Sequence, residues 1–130
     1  MSLDVSPELL AEAESGDIRE EDFVATVRTS LPYAYDLIAS LAAELGSGTA
    51  EFADNRTPPP SETERGQLLR ALASDAIRGN LERHFGIELA FQNCHRVAAF
   101  RPGARDGWTY GRFTSVRSQV LNQSPEFRDC

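Results

Sequence analysis

SETERGQLLRALASDAIRGNLERHFGIELAFQNCHRVAAF, residues 61–100, is the stretch whose reading decides the fold. Ser61 followed by Glu64 has the spacing of a capping box, in which side chains accept hydrogen bonds from unpaired backbone N–H groups of a first helical turn. Pro58, Pro59 and Pro60 stand just before it and cannot belong to the helix. Gly86 supplies the left-handed residue that commonly closes a helix. Between these marks Leu69, Leu72, Ala73, Ala76, Ile77 and Leu81 recur at three- and four-residue intervals as one apolar stripe. One long central helix is therefore expected over 61–85, about 24 residues and about 36 Å in length.

Two polar residues interrupt the stripe. At about 100° per residue, Asn80 and His84 fall near the middle of the apolar face, while Asp75, Arg78 and Glu82 point away from it. A buried amide or imidazole without a hydrogen bond costs about 1–3 kcal/mol, so each needs a partner. Either both tie down backbone where the strands begin, or they line a pocket, or they are simply exposed at a frayed helix end.

Beyond Gly86 the period changes to two. Ile87, Leu89 and Phe91 alternate with Glu88, Ala90 and Gln92, which predicts a strand with one wet face. After a turn at Asn93, residues 95–100 read as a second strand, apolar on both faces and so central or doubly covered. Two strands are marginal by themselves. Trp108 to Phe113, reached through the turn-rich RPGARDG, is the candidate third. Phe113, Val116, Val120 and Leu121 then fall at helical spacing, and the residues after about 124 read as a tail.

Working back towards the start, Ser6 and Pro7 open a short helix that ends near Gly16, and Asp17 with Glu20 repeats the capping spacing for a second. Pro32 breaks that second helix. The third, 32–45, has the cleanest pattern: Ala34, Leu37, Ile38, Leu41, Ala42 and Leu45 follow i, i+3, i+4, i+7, i+8, i+11, marking a core or dimer helix. Tyr33 and Tyr35 read as packing residues. From 46 to 60 the sequence has no period and many breakers, a long connection that reads as a spacer, a partner-contacting segment or an active-site lid.

The composition is that of an ordinary globular chain, with 41% hydrophobic and 25% charged residues in 130. No apolar run is long enough to span a bilayer and the acidic start lacks a signal-peptide core, so a cytoplasmic location is expected. All 13 basic residues are arginine, which reads as the codon usage of a GC-rich bacterial genome. The net charge of −7 argues against general nucleic-acid binding. The halves differ: residues 1–64 carry 14 acids and 3 arginines, a net of −11, whereas residues 65–130 carry 6 acids and 10 arginines, a net of +4. Packing of one half on the other within the fold is the simplest explanation. Head-to-tail or two-fold pairing of subunits is a second, and an anion site in the basic half a third.

The chemistry-bearing residues of the second half are Asn80, His84, Cys94, His95, Arg96 and Trp108, with further arginines at 101, 105, 112 and 117. Neighbouring Cys94 and His95 cannot form a dyad in a strand, where adjacent side chains point to opposite faces; Cys94 would need His84 as its base. Two histidines and two cysteines without close-paired spacing do not make a zinc site. The arginines and aromatics between 96 and 117 suit an anionic ligand or the surplus carboxylates of the first half.

The expected fold is α+β in one domain, residues 1–130, with a long loop at 46–60 and a tail at 124–130. Helices fill the first two-thirds, a long central helix packs on a small antiparallel sheet of two or three strands, and a short C-terminal helix follows. The expected function is a small cytoplasmic protein-interaction or regulatory module without catalytic activity, a homodimer or partner binder acting through the third helix or the 46–60 loop, with no cofactor, metal or membrane. The alternative is a small enzyme or anionic-ligand-binding protein with a pocket at Asn80, His84, Cys94, His95, Arg96 and Trp108.

Overall fold

Strand β3 (Arg96–Phe100) is the centre of the molecule, and the apolar character of both its faces explains why. It lies between β1 (Phe52–Asp54) and β2 (Glu88–Asn93), antiparallel to each, in the order β1-β3-β2. Phe52 and Glu88 flank Phe100, and Ala53 and Leu89 flank Ala99. Alternation then sends Ala53, Leu89, Val97 and Ala99 to one face and Phe52, Ala90, Ala98 and Phe100 to the other. Val97, Ala98, Ala99 and Phe100 are all buried, as expected of a doubly covered strand. The computed structural model describes residues 2–93 and 96–121.

Five helices cover the first face or build on that cover: α1 (Pro7–Ser15), α2 (Glu20–Ser30), α3 (Pro32–Ser47), α4 (Glu62–Leu72) and α5 (Asp75–Phe85). Helix α3 lies against β1 and β3, and α5 meets β2. Ala34, Ile38, Leu41 and Leu45 are buried, with Leu37, Ala42, Tyr33 and Tyr35 packed on the same cluster, so the apolar face of the third helix belongs to the core. Helix α2 packs on α3 and α5, and α1 lies outermost, held by buried Leu9. Helix α2 starts one residue after Arg19, not at an Asp17 cap; the Arg19 N–H goes instead to Oε1 of Glu12, 3.0 Å away.

The single helix expected over 61–85 is two. Ser61 caps the first through its Oγ, 3.4 Å from the Glu64 N–H, and Gly86, at φ +65°, closes the second. Between them Ser74 takes an extended conformation and its Oγ accepts from the Ile77 N–H at 3.3 Å, starting α5 afresh. Arg78 donates to the Leu72 carbonyl at 2.8 Å, satisfying one of the orphan acceptors at the end of α4. The break turns the two helices separately. Leu68, Ala71, Leu72, Ile77 and Leu81 are buried, whereas Leu69, Ala73 and Ala76 of the expected stripe are exposed.

The third strand is β1, inside the 46–60 connection, and not residues 108–113. That segment forms α6 (Trp108–Phe113), which follows a 3-10 turn at Ala104–Asp106 and lies on the second face of the sheet. The face of β2 expected to be wet is thereby covered. Ala90 is 4% exposed, and Gln92 donates from Nε2 to the Phe113 carbonyl at 2.7 Å. Phe113 fills this second core against Phe52 and Phe100, with ring centroids 6.2 and 5.7 Å away. A last helix, α7 (Val116–Leu121), meets β2 and α6.

Candidate interaction surface

Helices α6 and α7 are separate because Ser115 starts α7, its Oγ accepting from the Ser118 N–H at 3.1 Å. The break parts Phe113 from the apolar residues that follow it at helical spacing. Phe113 is 7% exposed and faces the sheet, while Val116 is 81%, Val120 65% and Leu121 65% exposed. Helix α7 therefore sits with its sides reversed from those of an ordinary surface helix. Ser118 and Gln119 are half-buried on the inner side, while Val116, Arg117, Val120 and Leu121 span about 140° of the outer side at 100° per residue.

Trp108, 75% exposed, continues this surface. The Arg112 guanidinium lies 4.7 Å over its ring. A groove of about 610 Å³ between α6 and α7 is lined by Asp106, Trp108, Arg112, Ser115, Arg117 and Ser118. On the other side of Trp108 a cleft of about 390 Å³ runs to Phe100, Tyr110 and Glu51, where the Thr109 hydroxyl donates to the Glu51 carboxylate. The surface is apolar with arginines at its rim, a mixture enriched in protein interfaces.

Arg96, Arg101 and Arg105 are engaged in the fold. Arg96 pairs with Asp54 at 2.7 Å and lies over the Phe113 ring. Arg101 donates to the carbonyls of Leu45, Gly48 and Ala50, closing the end of α3 onto the sheet edge. Arg105 pairs with Glu82 at 2.6 Å, and that carboxylate's hydrogen bond and charge raise the arginine's pKa above its usual value. Glu82, expected to point into solvent, also accepts the Leu89 N–H at 2.8 Å where β2 begins. Among the described residues two ion pairs join the acidic and basic halves, Arg83–Glu20 and Arg96–Asp54. Most carboxylates of α1 and α2 are outside these pairs, so internal packing accounts for only part of the charge division.

The residues expected to share a pocket are placed apart. Asn80 is 1% exposed, and its Nδ2 donates to a carboxylate oxygen of Glu20 while Oδ1 finds no partner among the described residues. That hydrogen bond, followed by that of Arg83, holds the Glu20 carboxyl below its usual pKa. His84 is exposed, contrary to the expectation that it lies indoors, because it sits on the last turn of α5 beside Tyr35 and Phe85. Its Nε2 is 3.5 Å from the Tyr35 hydroxyl. Arg96 and Trp108 belong to the opposite side of the sheet. Cys94 and His95 lie outside the described residues. Among the described residues no group of three or more His, Cys, Asp or Glu is placed to hold a metal ion, and no helix is long and apolar enough to cross a membrane.

The outward face of α7 was missed because periodicity reports that apolar residues share a face, not which way the face is turned. Ser115, Ser118 and Gln119 were the available signal, since small or neutral polar residues can sit against the protein while the valines face out.

Fold and surface together define a small α+β protein whose helix α7 turns its apolar residues outward. The chain belongs to the family described as NucS shadow ORF, which matches residues 1–130. No curated protein and no solved structure matches it.

Proposed function

We propose that the chain is a small cytoplasmic protein-interaction or regulatory module, acting without catalysis, that docks its partner on the outer face of α6 and α7. The observation that carries this reading is the reversal of α7, with Val116, Val120 and Leu121 outward and Ser118 and Gln119 inward. A six-residue helix gains little stability by itself, and none of its residues is buried. Covering its outer face removes apolar surface from water at about 25 cal/mol per Å², and the arginines at the rim give orientation. The alternative pocket reading has less support, since His84 and Arg96 stand on opposite sides of the sheet.

The test is a photo-crosslinking side chain placed at Val120 in the producing cell, with Asp36, exposed on α3, as the control position. A discrete protein adduct at 120 and none at 36 is expected. No adduct at 120 overturns the reading.

A further inference from the structure

Resting on that docking reading, we infer that the occupant is a second copy of this chain, which presents its acidic α1–α2 surface so that copies join head to tail. The two surfaces match in both respects that count. The docking face carries Arg112 and Arg117 against one acid, Asp106, beside exposed Trp108, Val116, Val120 and Leu121. At the other end of the molecule a groove of about 550 Å³ between α1 and α2 is lined by Asp4, Glu8, Glu12 and Asp22, with Arg19 its one cation. Exposed apolar residues lie on α1 and on either side of it in the chain: Val5 is 51%, Leu10 52% and Ile18 46% exposed. Two arginines against one aspartate on the first surface, and four carboxylates against one arginine on the second, give net charges of opposite sign, each beside exposed apolar residues.

Their placement sets the geometry. Helix α2 belongs to the helical layer on the first face of the sheet, with α1 outside it, while α6 lies on the second face and α7 follows it. Surfaces on opposite sides of a molecule cannot pair reciprocally between two copies. They join as a heterologous contact that leaves one free surface at each end and permits further addition. An interface of standard size takes about 800 Å² from each partner, roughly a tenth of the 7528 Å² surface of this chain.

The experiment is sedimentation velocity on the purified full chain from about 5 to about 500 µM, in about 0.05 M and about 0.5 M salt. Average mass should climb past two copies at low salt, with association at least about fivefold weaker at high salt. Two variants each remove one surface, Val116→Ser with Val120→Ser and Asp4→Asn with Glu8→Gln and Leu10→Ser. All five residues are exposed in the folded chain. Each variant should stay monomeric alone. Mixed, they should form a one-to-one pair and stop, because each supplies the surface the other lacks; that recovery also shows both to be folded. A monomer at every concentration, growth that halts at two copies, or association that survives either variant overturns the inference. A crosslink from position 120 to a protein other than this chain also overturns it, yet leaves the docking reading standing; the absence of any adduct removes that reading as well.

Discussion

The guanidinium of Arg112 stacks 4.7 Å over the indole of Trp108, and the pair stands at the surface and not in the core. A cation–π contact in so exposed a setting is worth about 0.5–1 kcal/mol, too little to explain an uncovered indole by its benefit to the fold. Arg112→Ala should lower unfolding free energy by no more than about 0.5–1 kcal/mol in urea titration, yet weaken self-association at low salt by about fivefold or more. A large stability loss with unchanged association would mean that the pair serves the fold and not docking.

Phe113, Val116 and Val120 share a helical spacing but should separate in a truncation series. Phe113→Ala removes a buried ring from the Phe52–Phe100 cluster and is expected to cost about 3 kcal/mol. Val116→Ala and Val120→Ala should each stay within about 0.5 kcal/mol of the parent, as exposed positions do. Denaturant midpoints of dilute protein check this; similar losses at all three would return the valines to the core.

Ser74 decides between one helix and two. In a continuous helix, Ser74→Ala would raise stability by a few tenths of a kcal/mol, since alanine is the better helix former. With Ser74 capping α5 through the Ile77 N–H, the same change should lower it by about 1 kcal/mol. The sign of the shift in thermal midpoint is the readout.

Asn80 and Glu20 give a pH prediction. Asn80→Asp would place a second carboxylate, buried, against Glu20. Burial and like charge raise its folded pKa above the unfolded value, so the penalty is full above the folded pKa and disappears below the unfolded one. A loss of about 3 kcal/mol at pH 7 is expected, shrinking as the pH falls through the folded pKa and gone below about 4. Glu20 itself acts in the opposite sense. Its pKa is depressed by Asn80 and Arg83, so its contribution is present above the ordinary glutamate pKa and lost as pH falls through the folded value. In Glu20→Gln that acid-side loss should be smaller. Unfolding titrations from pH 7 to about pH 3 measure both effects.

Much of the fold was legible where local chemistry and packing agree. The caps at Ser61 and Gly86, the break before Pro32, the α3 stripe and the two-sided burial of 97–100 all follow from residue type and spacing. The misreadings came where two local signals compete. Ser74 followed by Asp75 can pass as helix interior or as a new start, and the carbonyl contact from Arg78 settles it for a start. Trp108–Phe113 is rich in β-favouring aromatics, yet its ends are closed by turns and its Phe113 is needed under the sheet, so it coils. The third strand escaped notice because Phe52, Ala53 and Asp54 carry too few residues to show a period. Of the candidate site, Asn80 was rightly placed indoors, but a one-turn shift towards the end of α5 leaves His84 outside.

Trp108 is the single tryptophan of the chain and stands on the docking face, so acrylamide quenching of its fluorescence tests the central claim most directly. In dilute protein at low salt the indole should be fully open to quencher, as its 75% exposure requires. As concentration rises into the associating range its quenching constant should fall about threefold or more, with a blue shift of emission, as the face is covered. Quenching that stays the same at every concentration and salt would contradict the account.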